Sequence, residues 1–436
     1  MQVMITSAGK MCATVFDYMK PTQKLFRRTI LLLLLLVPVS SHAQTKPIRD
    51  LRPTVILISL DGFRYDYLAK YRSPNLNSLA RSGVRARWLI PSFPTKTYPN
   101  HYTIATGLYP AHHGIVENNI YDPQFKDVFN LSKREEVENG RWWLGEPIWV
   151  TAEKQNQRSA SVFFPGTEAE IAGKRPTYWK RYDAKVSNTA RVNMILSWLD
   201  LPRAQRPTCL SLYFSDTDDT GHRYGPDSKE TGQAVANLDE ALGRLIQGLR
   251  AREIFAQVNL IIVSDHGMAA VDPANVIQLD QMFDTGLAER IFWTPEIVSI
   301  FPRAGNELKI YSSLRRHLPP QARVFRKAEL PARFHYRDSA RIPPLLVLPD
   351  EGWVLTNRDG LAAMNASEGP AKGRHGYDNR LRSMRAIFIA HGAAFKRRKV
   401  VAPFANIQIY NLMTRILGLK AAPNDGAFTV VREVLR

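Results

Sequence analysis

Asp61, Asp218 and Asp265 bring carboxylates, His222, His266 and His375 bring imidazoles, and Thr97 brings a hydroxyl; these are the residues of the chain whose types and settings can do chemistry. Carboxylate oxygen mixed with imidazole nitrogen suits zinc better than magnesium or calcium, which favour oxygen donors. Thr97 stands in Lys96-Thr97-Tyr98-Pro99, and the proline marks a helix start. A hydroxyl there lies where free backbone N–H groups and the helix dipole favour an anionic oxygen. Threonine is too weak an acid to attack unaided, and a metal ion binding the deprotonated oxygen is the usual remedy. Each piece has a plainer alternative. A threonine at a helix start is commonly a cap. Asp218-Asp219-Thr220-Gly221-His222 is an acidic segment of ordinary composition, Asp265-His266-Gly267 a polar turn, and His375, between Arg374 and Gly376, a structural or solvent-facing histidine.

The elements around these residues place them together. Val55-Ile56-Leu57-Ile58-Ser59-Leu60 is a short apolar run rich in β-branched residues, and Asp61-Gly62 ends it. That pattern predicts a buried strand closing in a turn. Residues 210–214 form a second such run leading to Asp218 and His222, and residues 258–264 a third leading to Asp265 and His266. A carboxylate and an imidazole four residues apart, as in Asp218 and His222, share one face if their segment is helical. Between the strands, Ser73-Pro74 predicts a helix capped by Ser73 and stopped by Gly83, and Val235, Leu238, Leu242, Leu245 and Leu249 recur at helical spacing. Alternating buried strands and amphipathic helices predict an α/β fold with a mostly parallel central sheet and helices on both faces. Such sheets collect ligands beyond the carboxyl ends of their strands, which is where the acidic clusters fall. Residues of about 273–365 are richer in Pro and Arg and weaker in periodicity, which predicts a small inserted cap subdomain.

Composition narrows the setting. The 436 residues carry a formal charge of +19, which favours anionic partners. No basic-aromatic motif points to specific nucleic-acid binding. Lys24, Arg27 and Arg28, the apolar stretch 30–39 and Ser41-His42-Ala43 have the layout of a secretory signal cut after Ala43, with Met19 as an alternative start. The stretch is about half the ~20 residues a membrane span needs, so no stable anchor is expected after cleavage. The expected organisation is a signal region over 1–43, a catalytic domain over 44–436 and a secreted or periplasmic location. Of two cysteines only Cys209 lies beyond the cut, so no internal disulfide is expected.

Taken together, Asp61-Gly62, Lys96 through His101, Thr106-Gly107-Leu108, Gly145-Glu146-Pro147-Ile148-Trp149, Asp218 through His222 with Tyr224-Gly225-Pro226, Ser264 through Met268 and His375 through Asn379 resemble the nucleotide pyrophosphatase/phosphodiesterase family of the alkaline phosphatase superfamily. The resemblance runs in order over nearly all of the chain beyond the signal. It implies an alkaline phosphatase-like fold and two Zn2+ ions, one held by Asp218, His222 and His375 and activating water, the other held by Asp61, Thr97, Asp265 and His266. It implies Thr97 as nucleophile through a phosphothreonine-type intermediate, and Asn118 as donor to a nonbridging phosphate oxygen. Tyr98 and Tyr182 fill the positions between which nucleotide-cleaving members stack the base, and Tyr213 is a candidate for the same pocket. The expected substrates are nucleoside triphosphates, dinucleotides or nucleotide-sugar diesters, released as 5′-nucleotides.

The chain also departs from the family. With two cysteines it is expected to be a bare catalytic domain without the cysteine-rich accessory domains of animal members, as bacterial single-domain relatives are, and it carries Asp216-Thr217 where many relatives have Glu-Pro. The competing readings are a glycerophosphocholine or lipid-type phosphodiesterase, an alkaline phosphatase-like phosphomonoesterase, and a catalytically silent metal-stabilised binding module. A sulfatase is disfavoured because Leu210-Ser211 after Cys209 lacks the Pro and Arg that formylglycine maturation needs.

Overall fold

In a computed structural model, residues 46–366, 369 and 371–436 are described. The expected signal region lies outside them. The central sheet uses eight strands: β1 (Val55–Leu60), β2 (Val84–Ala86), β3 (Ser159–Val162), β4 (Tyr178–Lys180), β5 (Cys209–Phe214), β6 (Asn259–Val263), β7 (Phe388–His391) and β8 (Lys399–Val401). Their order is β8-β2-β7-β6-β1-β5-β3-β4. Only β7 runs against the others, antiparallel to both β6 and β2, so the sheet is mixed but mostly parallel.

Every residue of β1, β5 and β6 is buried, as strands covered on both faces must be. Side-chain alternation divides β1 between two cores. Ile56, Ile58 and Leu60 pack with α1 (Pro74–Ser82), α3 (Asn188–Leu199) and α5 (Lys229–Ala251), whereas Val55 and Leu57 pack with α2 (Thr97–Thr106) and α6 (Gln408–Leu417). Truncating a residue such as Ile58 to alanine costs about 2–5 kcal/mol in a core of this kind. Helix α1 starts at Pro74 as predicted, but Ser73 makes no capping hydrogen bond. The free N–H groups of Asn75 and Leu76 donate instead to the buried carboxylate of Asp239 on α5, at 3.0 and 2.7 Å. A tertiary contact replaces the local cap.

Part of the 273–365 stretch folds into a second sheet of four antiparallel strands, ordered Ala288–Thr294, Ile297–Pro302, Leu345–Pro349 and Ala322–Arg326. Ile277, Val298, Ile300, Ile310, Leu314 and Val347 give it a core of its own. Leu330, Phe334, Tyr336 and Ile342 from the same stretch join the main core instead.

Candidate active site

The three central strands, β6-β1-β5, end in register, with Ser59 opposite both Tyr213 and Val263. Asp61, the segment bearing Asp218, and Asp265 with His266 therefore leave the sheet at one edge. Asp218 and His222 lie on helix α4 (Asp216–Tyr224), four residues apart on one face. Gly62 lets that helix come close: its φ is +65°, and a Cβ there would meet the Asp218 Cα at 2.9 Å. Gly267 acts by space rather than by dihedral, since a Cβ would sit 2.1 Å from the Ser383 carbonyl oxygen. Thr97 is the first residue of α2.

All seven predicted ligands converge. Donor atoms of Asp218, His222 and His375 lie within 4.8 Å of one another, as do those of Asp61, Asp218 and His266. His375 Nε2 and His222 Nε2 each lie 3.5 Å from an oxygen of Asp218. His266 Nε2 lies 2.9 Å from Asp265 Oδ2, 3.4 Å from Asp61 Oδ1 and 3.3 Å from Thr97 Oγ1.

The backbone dictates which nitrogen of each imidazole faces the centre. Nδ1 of His222, His266 and His375 meets the carbonyl oxygens of Gly373, Gly267 and Thr95 at 2.8, 2.9 and 2.8 Å. A carbonyl can only accept, so each Nδ1 carries the proton and each Nε2 offers a lone pair inward, the arrangement of metal-binding histidines. Opposite them, Asp61 Oδ1, Asp218 Oδ1 and Asp265 Oδ2 are buried and accept no hydrogen bond. Lone pairs converging on lone pairs repel unless cations lie between them. Burial, then the charges of Asp265 and Asp218, push the Asp61 carboxyl well above the usual carboxylate range, although a hydrogen bond from Tyr213 opposes this. Hard oxygens and imidazole nitrogens in two overlapping groups fit divalent metal.

Asn118 is fixed by its carbonyl, which accepts the Tyr98 N–H at 3.1 Å and so directs the amide nitrogen away from that contact. Tyr98 rests against Phe129 and Trp143, ring centroids 6.2 and 6.0 Å away. Tyr182 is 37% exposed and sets its ring edgewise on Phe163 and Tyr213, at 5.4 and 6.3 Å. The Tyr213 hydroxyl is committed elsewhere, donating to Asp61 Oδ2 at 2.6 Å. That bond orients the carboxylate and leaves the Tyr213 ring against Tyr182.

Sequence reasoning gave no role to His101, although donor atoms of Asp61, His101 and Asp265 also group within 4.8 Å. Its Nδ1 donates to the Thr97 carbonyl and its Nε2 accepts from the Ser59 hydroxyl, both at 2.8 Å. With both nitrogens engaged, His101 steadies the helix start beneath Thr97. The departure at Asp216-Thr217 is absorbed locally: the Thr217 hydroxyl bonds the Asp61 carbonyl at 2.5 Å, and Asp216 accepts from Asn188 at 2.7 Å. Cys209 is buried in β5 with its thiol pushed up to about 12 by burial, which leaves it inert.

An α/β sheet whose central strand ends gather paired carboxylates, histidines and a helix-start hydroxyl defines a hydrolase of the alkaline phosphatase-like fold. Residues 55–378 match the profile of type I phosphodiesterase / nucleotide pyrophosphatase, and the chain belongs to that family. It is 43% identical over 392 residues to an uncharacterised pyrophosphatase/phosphodiesterase of Schizosaccharomyces pombe, covering 86% of this chain and 79% of the relative. It is 39% identical over 409 residues to a venom phosphodiesterase of Crotalus durissus collilineatus, covering 91% of this chain but 48% of the relative. The chain thus spans about half the length of most curated relatives it matches. Murine ectonucleotide pyrophosphatase/phosphodiesterase 5 superposes with a TM-score of 0.82 at 35% identity, over 88% of this chain and 100% of the other. An inactive threonine-to-alanine variant of that murine protein has been solved in complex with AMP, and its TM-score is 0.81.

Proposed function

We propose that this chain hydrolyses phosphodiester or pyrophosphate bonds of nucleotides and releases a 5′-nucleotide, with Thr97 as nucleophile and two zinc ions as cofactors. The observation that carries this is the set of buried, unbonded oxygens on Asp61, Asp218 and Asp265, facing inward-turned histidine nitrogens beside Thr97 Oγ1. One ion would be held by Asp218, His222 and His375, the other by Asp61, Asp265, His266 and Thr97. Bound there, zinc would supply positive charge that acidifies the hydroxyl and the attacking water and offsets charge building on the phosphoryl oxygens.

The chain's own groups do the rest. The Thr97 oxygen attacks phosphorus, the bond to the leaving group breaks, and a nucleotidyl ester of Thr97 forms. Water then cleaves that ester and restores the hydroxyl. Asn118 Nδ2, oriented by the bond that the Asn118 Oδ1 accepts from Tyr98 N–H, donates to a nonbridging oxygen whose charge grows during each attack. Tyr98 and Tyr182 hold the base between them. Lys96, adjacent to Thr97, is already paired with Glu296, so it is not free to bind the second charge of a phosphomonoester. The exported location expected from the sequence suits scavenging of external nucleotides.

Assays of the zinc-loaded protein on a nitrophenyl nucleotide diester, nitrophenyl phosphate and glycerophosphocholine test the reading. The diester is expected to be cleaved fastest; faster cleavage of the monoester or of the choline ester would overturn it.

A further inference from the structure

One buried ion pair beside the site involves none of the predicted ligands. Lys96 Nζ pairs with Glu296 Oε2, and the two side chains are 9% and 1% exposed. Glu296 Oε1 lies 3.3 Å from Arg374 Nη1. Glu117 completes the group: one of its oxygens accepts the Asn118 N–H, the other has no partner, and burial raises its carboxyl above the ordinary value although the Lys96 charge opposes this.

Three of these residues directly precede a residue of the proposed machinery: Lys96 precedes Thr97, Glu117 precedes Asn118 and Arg374 precedes His375. The fourth, Glu296, comes from the turn between strands Ala288–Thr294 and Ile297–Pro302 of the separate four-stranded sheet. Space for the pair is kept by Gly376, where a Cβ would lie 2.6 Å from Lys96 Cε and 3.1 Å from Glu296 Cβ. A backbone strap runs alongside: the Thr95 carbonyl accepts from His375 Nδ1 at 2.8 Å and the Thr95 hydroxyl from Gly376 N–H at 2.9 Å.

We propose that Lys96 and Glu296 are a positioning pair, through which the 288–302 hairpin fixes the Thr97 helix start and the His375 loop relative to one another. The inference rests on the functional reading above for what Thr97 and His375 do. A buried ion pair is weak as a source of stability, because desolvation consumes most of its attraction and apolar replacements of similar volume are often neutral. Geometry is what this pair can supply. Loss of such outer partners typically lowers metal affinity or activity by roughly 10–100-fold.

The test compares Glu296→Gln and the double variant Lys96→Met/Glu296→Leu with wild type, all as zinc-loaded full chains. Zinc affinity is read by chelator competition, kcat and KM on a nucleotide diester, and the melting temperature by calorimetry. The double variant is expected to melt near wild type yet to bind its weaker zinc roughly 10–100-fold less tightly and lose kcat on that scale, with KM little changed. Wild-type zinc affinity and kcat in the double variant would overturn the proposal, and so would loss of the fold in both variants, since the pair would then be purely structural. A wild type inactive on every diester would defeat the functional reading alone, because chelator competition needs no substrate.

Discussion

Asp61, Asp218 and Asp265 at the strand ends, and Lys96, Glu296 and Arg374 beside them, are both largely buried sets of charge, and they are satisfied in opposite ways. In the first, one oxygen of each carboxylate accepts no hydrogen bond, and burial together with the neighbouring carboxylates drives Asp61 toward its protonated form. In the second, burial opposes both charges but pairing prevails: Lys96 is held above its ordinary value and Glu296 below. Unmatched charge marks the place built for a ligand, and matched charge marks scaffolding. Protein interiors tolerate the former only where something else supplies the missing counter-charge.

The largest expected effect removes the group that uses the unmatched site. Thr97→Ala is expected to lower kcat on a nucleotide diester by on the order of 10^4-fold or more, the scale of losing a covalent nucleophile. Steady-state kinetics with the zinc content measured in parallel checks this, and retention of activity would reduce Thr97 to a helix-start residue.

Asp61→Asn probes the comparison itself. The raised folded-state pKa of Asp61 means that its contribution to stability is complete below the unfolded value, about 4, and is lost as pH rises through the folded value. In chelator the variant is therefore expected to melt above wild type, by a margin that widens with pH. With zinc at about a hundred times its dissociation constant the order reverses, because wild type then gains about 2.7 kcal/mol per site from binding. Glu296→Gln, whose parent carboxylate is matched, is expected to melt below wild type in both conditions. Calorimetry across pH, with and without zinc, would break the comparison if both variants behaved alike.

Asn118→Ala is expected to cost about 10²–10³-fold in kcat with little change in zinc affinity, as for a donor that acts on developing charge. Tyr213→Phe leaves Asp61 without its orienting bond, and roughly tenfold weaker zinc binding by chelator competition is expected. An equal loss of zinc in both variants would erase the distinction between a substrate donor and a ligand-orienting residue.

What the sequence disclosed was what local pattern encodes. The run Val55–Leu60 with Asp61 at its end reveals both strand and carboxylate, and the four-residue spacing of Asp218 and His222 becomes one face of α4. What it hid depends on partners far along the chain. Ser73 has the composition of a cap, but Asp239 does the capping from α5. The reversed direction of β7 is set by where the chain re-enters the sheet after the second sheet, which no short pattern records. Glu296 lies in a stretch of weak periodicity, 200 positions from the lysine it neutralises. His101 was visible as a residue type, but its two hydrogen bonds, which make it a support under Thr97, exist only in the fold.

The most direct test of the account is mass spectrometry of the zinc-loaded enzyme, acid-quenched during turnover of a nucleotide diester. The account predicts a nucleotidyl adduct on the peptide carrying Thr97, absent from Thr97→Ala. An adduct on any other side chain would contradict it, as would full turnover by protein stripped of metal.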